Sequence, residues 1–256
     1  RSGYGTEAGL RALTPSGIRA AWQRRCRPQG TIIGMAGDIE PERARDMVER
    51  LLEGWAGGSP EPTEVRPAVR GTHQVALDTQ QTHLAIGLDA PPDRDSDAYA
   101  HRVAIRILGG AASSRLFTEV REKRGLCYSV GASSALGRDR GLVQVYAGST
   151  HERAPTTLEC IMKELERFEQ GLTAEGFADA LVGAKAGLGM SGESSSARAA
   201  AISSQVWRLG RAMDLAESAA EFDRLTLGSV NDYIARDMGA AWRAGMTMVT
   251  VAPAAG

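Results

Sequence analysis

The fold is decided by residues 107–130, which read ILGGAASSRLFTEVREKRGLCYSV. Gly109 and Gly110 follow an apolar helical stripe, and a glycine at that point typically ends a helix. Ser113 or Ser114 comes next, and serine is a favoured N-terminal cap. The stretch therefore predicts two helices separated by a tight turn.

The second of these helices is predicted to run through Arg121 and to stop at Gly125. Beyond it, residues 126–132 and 142–147 are rich in apolar and β-branched side chains, and a Gly-Arg-Asp-Arg-Gly loop separates them. Two such runs around a short glycine-containing loop are typical of paired antiparallel strands. We therefore predict a hairpin directly after the helix.

Upstream, residues 75–77 and 83–88 alternate as strands do, with a polar turn at 78–81 between them. This pattern predicts another hairpin. Downstream, apolar positions recur at helical spacing in residues 158–168, 177–188 and 202–209, and an apolar strand at 246–251 closes the chain.

These elements predict an α+β fold with helices packed against one face of a mainly antiparallel sheet. We place the complete domain at residues 73–256 and a linker rich in glycine and proline at 57–72. Residues 1–56 are then the C-terminal segment of a similar, truncated domain, in which 31–36 forms a short strand. The order of helix and strand there recurs near residues 225–251, and either duplication or chance explains the repeat. A lone strand would need a partner elsewhere.

Composition excludes several kinds of partner. The net charge is −1 with the two signs interspersed, whereas nucleic acids and anionic membranes require clustered Lys and Arg. No apolar run approaches the length of a membrane span. The three cysteines, odd in number and far apart, fit buried thiols better than disulfides or a zinc site. This cysteine content does not determine the cellular compartment, although it favours the cytosol.

Residues 107–130 resemble the signature of the second domain of the pitrilysin/insulinase-type zinc metallopeptidases, which include mitochondrial processing peptidase. The segments Gly5-Thr6-Glu7, Leu13-Thr14 and Ala36-Gly37-Asp38 resemble the end of that family's first domain. The resemblance implies two similar domains that close over an extended peptide, with zinc held in the first domain by His-x-x-Glu-His. The four histidines here include no pair at that spacing. The resemblance therefore implies no metal ligand in this chain, and zinc only in the complete enzyme.

Two residues of this sequence match an arginine and a tyrosine that bind the substrate backbone in that family, namely Arg121 and Tyr128. A guanidinium and a phenol can donate hydrogen bonds to carbonyl oxygens and to developing oxyanion charge. The alternative is that Arg121 lies on a solvated helix face and that Tyr128 packs in the core.

The resemblance also suggests a substrate-binding role for Gly109, Gly110, Ser113 and Ser114, by analogy with a glycine-rich loop in processing-peptidase subunits. Helix termination followed by helix capping is the alternative explanation of the same four residues.

Three functions remain open. The chain is the C-terminal part of a zinc endopeptidase, a non-catalytic subunit that completes a partner's zinc site, or a structural relative without a proteolytic role. In the first two, the chain is inactive alone and binds a peptide substrate together with a zinc-bearing half or a homologous subunit.

Overall fold

The computed structural model describes residues 4–59 and 69–254. The chain divides into two compact units, Arg1–Pro67 and Ala68–Gly256. Each unit is described separately below.

Residues 4–59 of the first unit contain three helices and little buried surface. They are α1 (Glu7–Arg11), α2 (Pro15–Arg25) and α3 (Pro41–Leu51). Thr14 caps α2 by accepting a hydrogen bond from the backbone N–H of Gly17 at 3.1 Å. Among the unit's described residues, only Ala44 is buried. Its exposed large apolar residues, within the described range, are Tyr4, Leu10, Leu13, Ile18, Trp22, Ile33, Met35, Ile39, Met47, Leu51 and Leu52. The described part of this unit therefore has no core of its own.

The strand predicted at residues 31–36 is wrong. The segment is not hydrogen-bonded into a sheet, and Ile33 is 48% exposed. A strand needs a neighbour for its backbone N–H and C=O groups, and the described residues of this unit include no second strand.

Residues 69–254 of the second unit contain one five-stranded mixed sheet. Its strands are β1 (Gly71–Ala76), β2 (Thr82–Ala90), β3 (Ser129–Leu136), β4 (Gly141–Ser149) and β5 (Thr247–Ala252). The spatial order is β1-β5-β2-β4-β3. Three of the four pairings are antiparallel and one, β1 with β5, is parallel. The predicted mainly antiparallel sheet is confirmed, and so is the β3–β4 pair.

The predicted hairpin between the first two strands of this unit is wrong, because β5 lies between β1 and β2. His73 of β1 pairs with Val249 of β5, and His83 of β2 pairs with Val251. Short sequence separation favours a hairpin, but β5 is apolar and β-branched and so suits a position with partners on both sides.

The described part of this unit also contains nine helical segments. They are α4 (Ala98–Gly109), α5 (Phe117–Glu122), α6 (Ala154–Phe168), α7 (Ala174–Gly192), α8 (Ser195–Leu209), α9 (Leu215–Asp223), α10 (Leu227–Tyr233), α11 (Ile234–Met238) and α12 (Gly239–Gly245). The three helices predicted between residues 158 and 209 correspond to α6, α7 and α8. Helix α9 was not predicted.

The core lies between one face of the sheet and the helices. Alternate residues of β2, among them Leu84, Ile86 and Leu88, are buried against helix residues such as Leu108 and Phe168. Full burial of each such side chain contributes roughly 1.5–3 kcal/mol. The other face, here called the open face, carries partly exposed or exposed residues such as His83, Gln144 and Tyr146.

One histidine is fully buried in this core. His101 of α4 shares a hydrogen bond of 2.8 Å between its Nδ1 and the Tyr233 hydroxyl, and its Nε2 has no partner among the described residues. Burial, with a smaller effect of Arg102, lowers the pKa of His101 to about 4. The folded protein therefore holds this imidazole neutral at neutral pH.

This burial predicts an acid-sensitive stability. Below pH ~6.5 the unfolded chain protonates His101, whereas the folded chain does so only near pH 4, so the free energy of unfolding falls as the pH is lowered through this window. The loss by pH 4 should be about 3 kcal/mol. Urea unfolding between pH 7 and 4 measures it. His101→Leu should flatten the profile and the matched His73→Leu should not; parallel profiles for wild type and His101→Leu would contradict the assignment.

Candidate functional site

Arg121 lies on the exposed side of α5. Its guanidinium carbon is 4.7 Å from the centroid of the Phe117 ring, one turn earlier, which is a cation–π contact. Within the described part of the chain, Arg121 forms no ion pair and no side-chain hydrogen bond. The aromatic ring holds the guanidinium while its N–H donors stay available.

Nearby carboxylates do not neutralise Arg121. Glu119 is bound by Lys123 at 2.6 Å and by Arg124 at 2.7 Å. These hydrogen bonds, first from Arg124 and then from Lys123, lower the pKa of Glu119 to about 2. Glu119 is therefore ionised and already engaged, which leaves the charge of Arg121 uncompensated.

Helix α5 is wider than the predicted α-helix. The backbone N–H of Lys123 donates to the Thr118 carbonyl, five residues back, at 2.9 Å. Such π-helical turns are rare and are frequent at functional sites. The helical run begins at Arg115, directly after Ser114, and the Ser114 carbonyl accepts a hydrogen bond from the backbone N–H of Thr118 at 2.9 Å. The predicted side-chain cap is not formed by Ser114, because its buried hydroxyl has no partner among the described residues.

Tyr128 directly precedes β3 and is exposed. Its backbone N–H donates to the Gly148 carbonyl at 2.9 Å, and the residue is 60% exposed. Burial in the core, the alternative explanation of this tyrosine, is therefore wrong. The neighbouring Cys127 is buried, and burial raises its pKa to about 11. Its thiol is protonated near neutral pH, so it is unsuited to act as a nucleophile.

A single turn connects Arg121 with Tyr128. The N–H of Gly125 donates to the Arg121 carbonyl and that of Leu126 to the Val120 carbonyl, both at 3.0 Å. Gly125 has a φ of +59°, which glycine adopts readily. The chain thus turns at Gly125, between Arg121 and Tyr128, and the two residues flank the same turn.

Gly109 and Gly110, two of the predicted binding residues, are packed tightly against neighbouring backbone atoms. A Cβ on Gly109 would overlap the backbone N of Ala132 and lie 2.8 Å from the carbonyl carbon of Gly131 in β3. A Cβ on Gly110 would lie 2.8 Å from the Cα of Arg106. Close packing of α4 on the edge strand therefore accounts for glycine at position 109.

The four predicted binding residues line two different cavities. Gly109 and Gly110 line a cavity of about 600 Å³ between α4 and β3. Ser113 and Ser114 instead line a smaller cavity of about 110 Å³. The four residues do not line one common cavity.

Sequence reasoning missed the role of Arg115, which belongs to the same signature stretch. Its guanidinium donates to the Gly171 carbonyl at 2.8 Å and lies 5.2 Å from the centroid of Phe168 at the end of α6. Through this hydrogen bond and this cation–π contact, Arg115 links the segment before α5 to the end of α6. No local pattern signals this contact, because the partners are far apart in sequence.

The described residues do not fit a zinc site. Among them, no group of three or more His, Cys, Asp or Glu side chains is arranged to hold a metal ion. Instead, the Nδ1 of His83 shares a hydrogen bond of 2.8 Å with the Tyr146 hydroxyl, and the Nδ1 of His151 shares one of 2.8 Å with the Thr82 hydroxyl. Nor does any helix in the described ranges have the length and apolar character needed to cross a membrane.

Comparison with known proteins identifies the family of this chain. The family model described as "Peptidase M16 inactive domain" matches residues 12–181. An uncharacterized zinc protease of Mycobacterium tuberculosis is 28% identical over 250 residues, which are 93% of this chain and 57% of that protein. Another from Streptomyces coelicolor is 33% identical over 180 residues, 66% of this chain and 39% of that protein. The chain thus spans little more than half the length of the mycobacterial relative, and the alignment with the second covers still less of that protein.

Solved structures show the same fold at low identity. A peptidase M16 inactive domain from Pseudomonas fluorescens has a TM-score of 0.83 at 19% identity, covering 100% of this chain and 61% of that chain. A chain of complex III from Candida albicans has a TM-score of 0.78 at 17% identity, covering 96% of this chain and 61% of that chain. The resemblance to pitrilysin/insulinase-type metallopeptidases is confirmed by the family model: the chain belongs to the peptidase M16 inactive domain family.

Proposed function

We propose that this chain is the non-catalytic, substrate-binding part of a zinc-dependent peptidase, in which Arg121 and Tyr128 bind the peptide backbone near the bond that is cleaved. The observation that carries the proposal is the exposed, uncompensated Arg121 on one side of a turn and the exposed Tyr128 on the other. A cation and a phenol at one turn, neither with a hydrogen-bond or ion-pair partner among the described residues, are suited to bind carbonyl oxygens.

In this proposal the guanidinium donates hydrogen bonds to a substrate carbonyl and stabilises negative charge that develops on its oxygen. Phe117 keeps the guanidinium over its ring, and the phenol of Tyr128 adds a neutral donor. Preorganised donors of this kind contribute most when the closed site excludes water. Zinc, when bound by a partner, would supply the activated water.

The zinc-bearing half, meaning a polypeptide with a His-x-x-Glu-His motif, is the proposed partner. We further propose that residues 1–56 complete a first domain formed largely by that half, with 57–72 as linker and 73–256 as the second domain. The apolar side chains exposed in the described part of the first unit support this proposal, because a partner would bury them.

Replacing Tyr128 with phenylalanine tests the proposal in the chain assembled with a zinc-bearing half. Loss of one neutral hydrogen bond in the transition state should reduce kcat about 10-fold, and the exposed ring should leave the thermal midpoint unchanged. Tyr233→Phe is the contrast, because it removes a buried hydroxyl bonded to His101 and should lower stability instead. Unchanged turnover with Tyr128→Phe would remove this residue from the proposed site and favour a structural role.

A further inference from the structure

The cavity between α4 and β3, here called the α4–β3 cavity, has the character of an anion site. Its volume is about 600 Å³. The residues that line it include Arg102 and Arg106 of α4 and Ser129, Ser133, Gln144 and Tyr146 of the sheet. No aspartate or glutamate is among the described residues that line it. The charged groups of the lining are therefore exclusively positive.

Arg106 has no ionic partner among the described residues. Its guanidinium lies against Gly183 in the middle of α7, where a Cβ would be 2.6 Å from the guanidinium carbon. A glycine inside a helix costs about 1 kcal/mol relative to alanine, and here it makes room for the arginine. Asp179, one turn earlier on α7, lines a smaller cavity together with Arg106 but is not within ion-pair distance.

Arg102, one turn before Arg106, is only partly compensated. It shares the buried carboxylate of Asp93 with Arg208, so one negative charge serves two guanidinium groups. The Nη1 of Arg102 is buried and has no hydrogen-bond partner among the described residues. The α4 side of the cavity therefore has an excess of positive charge.

The sheet side adds neutral donors and connects the cavity with the proposed substrate site. The Tyr146 hydroxyl is fixed by His83 Nδ1 at 2.8 Å, and the two rings stack at 6.1 Å. Ser129, which lines the cavity, directly follows Tyr128. When a peptide is bound at Tyr128, a neighbouring side chain of that peptide would therefore be able to reach this cavity.

We propose that the α4–β3 cavity binds a carboxylate of the substrate peptide and that Arg106 is its principal ligand. The inference rests on the proposed function and adds a substrate class, namely peptides with an acidic group near the cleaved bond. Arginine recognises carboxylates through paired, charge-assisted hydrogen bonds. The carboxylate comes from a Glu or Asp side chain or from the C-terminus of the peptide.

The test uses the chain assembled with a zinc-bearing half and a set of peptides with amidated C-termini. Glu, Gln or Lys is placed in turn at each position around the cleaved bond, and one Gln peptide is also made with a free C-terminal carboxylate. At one position wild type should cleave the Glu peptide with a kcat/KM about 10-fold above that of the Gln peptide. If only the free C-terminal acid shows the gain, the carboxylate is the terminal one.

Variants identify the residue responsible. Arg106→Gln should abolish the preference, and Arg106→Glu should shift it to Lys. Gly183→Ala keeps the charge but displaces the guanidinium, so it too should weaken the preference, whereas Arg198→Gln on the exposed part of α8 should not. Equal cleavage of the acidic and amide peptides by wild type, or a preference that survives Arg106→Gln, would overturn the inference. Loss of turnover in Arg121→Ala would still support the proposed function, so the two failures are distinguishable.

Discussion

Replacing Arg121 with alanine should reduce peptide turnover about 100-fold or more in the chain assembled with a zinc-bearing half. The change removes a charged donor that acts on developing oxyanion charge, and loss of one such donor typically costs 10²–10³ in kcat. Turnover of a fluorogenic peptide measures the effect. Arg198→Ala, which removes an exposed arginine on α8, is the matched control and should retain full activity.

Stability separates this catalytic effect from a structural one. In the described part of the chain, the side chain of Arg121 contacts the ring of Phe117 without a hydrogen bond or ion pair. An exposed cation–π contact is worth roughly 0.5–1 kcal/mol, so Arg121→Ala should shift the thermal midpoint only slightly. Wild-type turnover in this variant would remove Arg121 from the site, and a large loss of stability would assign it to the fold.

Replacing Gly109 with alanine should destabilise the second unit by about 3 kcal/mol or more. The added Cβ would overlap backbone atoms of β3, which cannot move aside as a flexible side chain does. Overpacking of a core usually costs 1–3 kcal/mol, and a clash with backbone belongs to the upper end. Urea unfolding measures the change in the free energy of unfolding.

A second glycine provides the control for this prediction. Gly187 of α7 has open space around its Cα, so Gly187→Ala should be neutral or stabilising by up to about 1 kcal/mol. If Gly109→Ala instead stays as stable as wild type and loses only peptide turnover, the substrate-binding explanation of this glycine would replace the packing one.

Local sequence signals predicted the central part of the fold well. Gly109 and Gly110 end α4, Gly125 makes the turn after α5, and two alternating runs form the β3–β4 hairpin. These features depend on neighbours within a few residues. The insertion of β5 between β1 and β2 depends on partners more than 150 residues apart in sequence, and no local pattern contains that information.

The candidate site was predicted by resemblance rather than by pattern. Arg121 lies in a run of charged residues and Tyr128 in an alternating strand-like run, and both patterns are common in ordinary helices and cores. What distinguishes them is visible only in three dimensions. Lys123 and Arg124 form ion pairs with Glu119. The guanidinium of Arg121 contacts the ring of Phe117. The turn after α5 leaves Tyr128 exposed.

The most direct test of the central claim is the peptidase activity and zinc content of the chain, measured alone and after mixing with a zinc-bearing half. The account predicts that the chain alone neither binds zinc nor cleaves peptides and that the mixture does both. A folded chain that gives no active mixture with such a half, whether cognate or from a relative, would contradict the account and assign the chain a structural role.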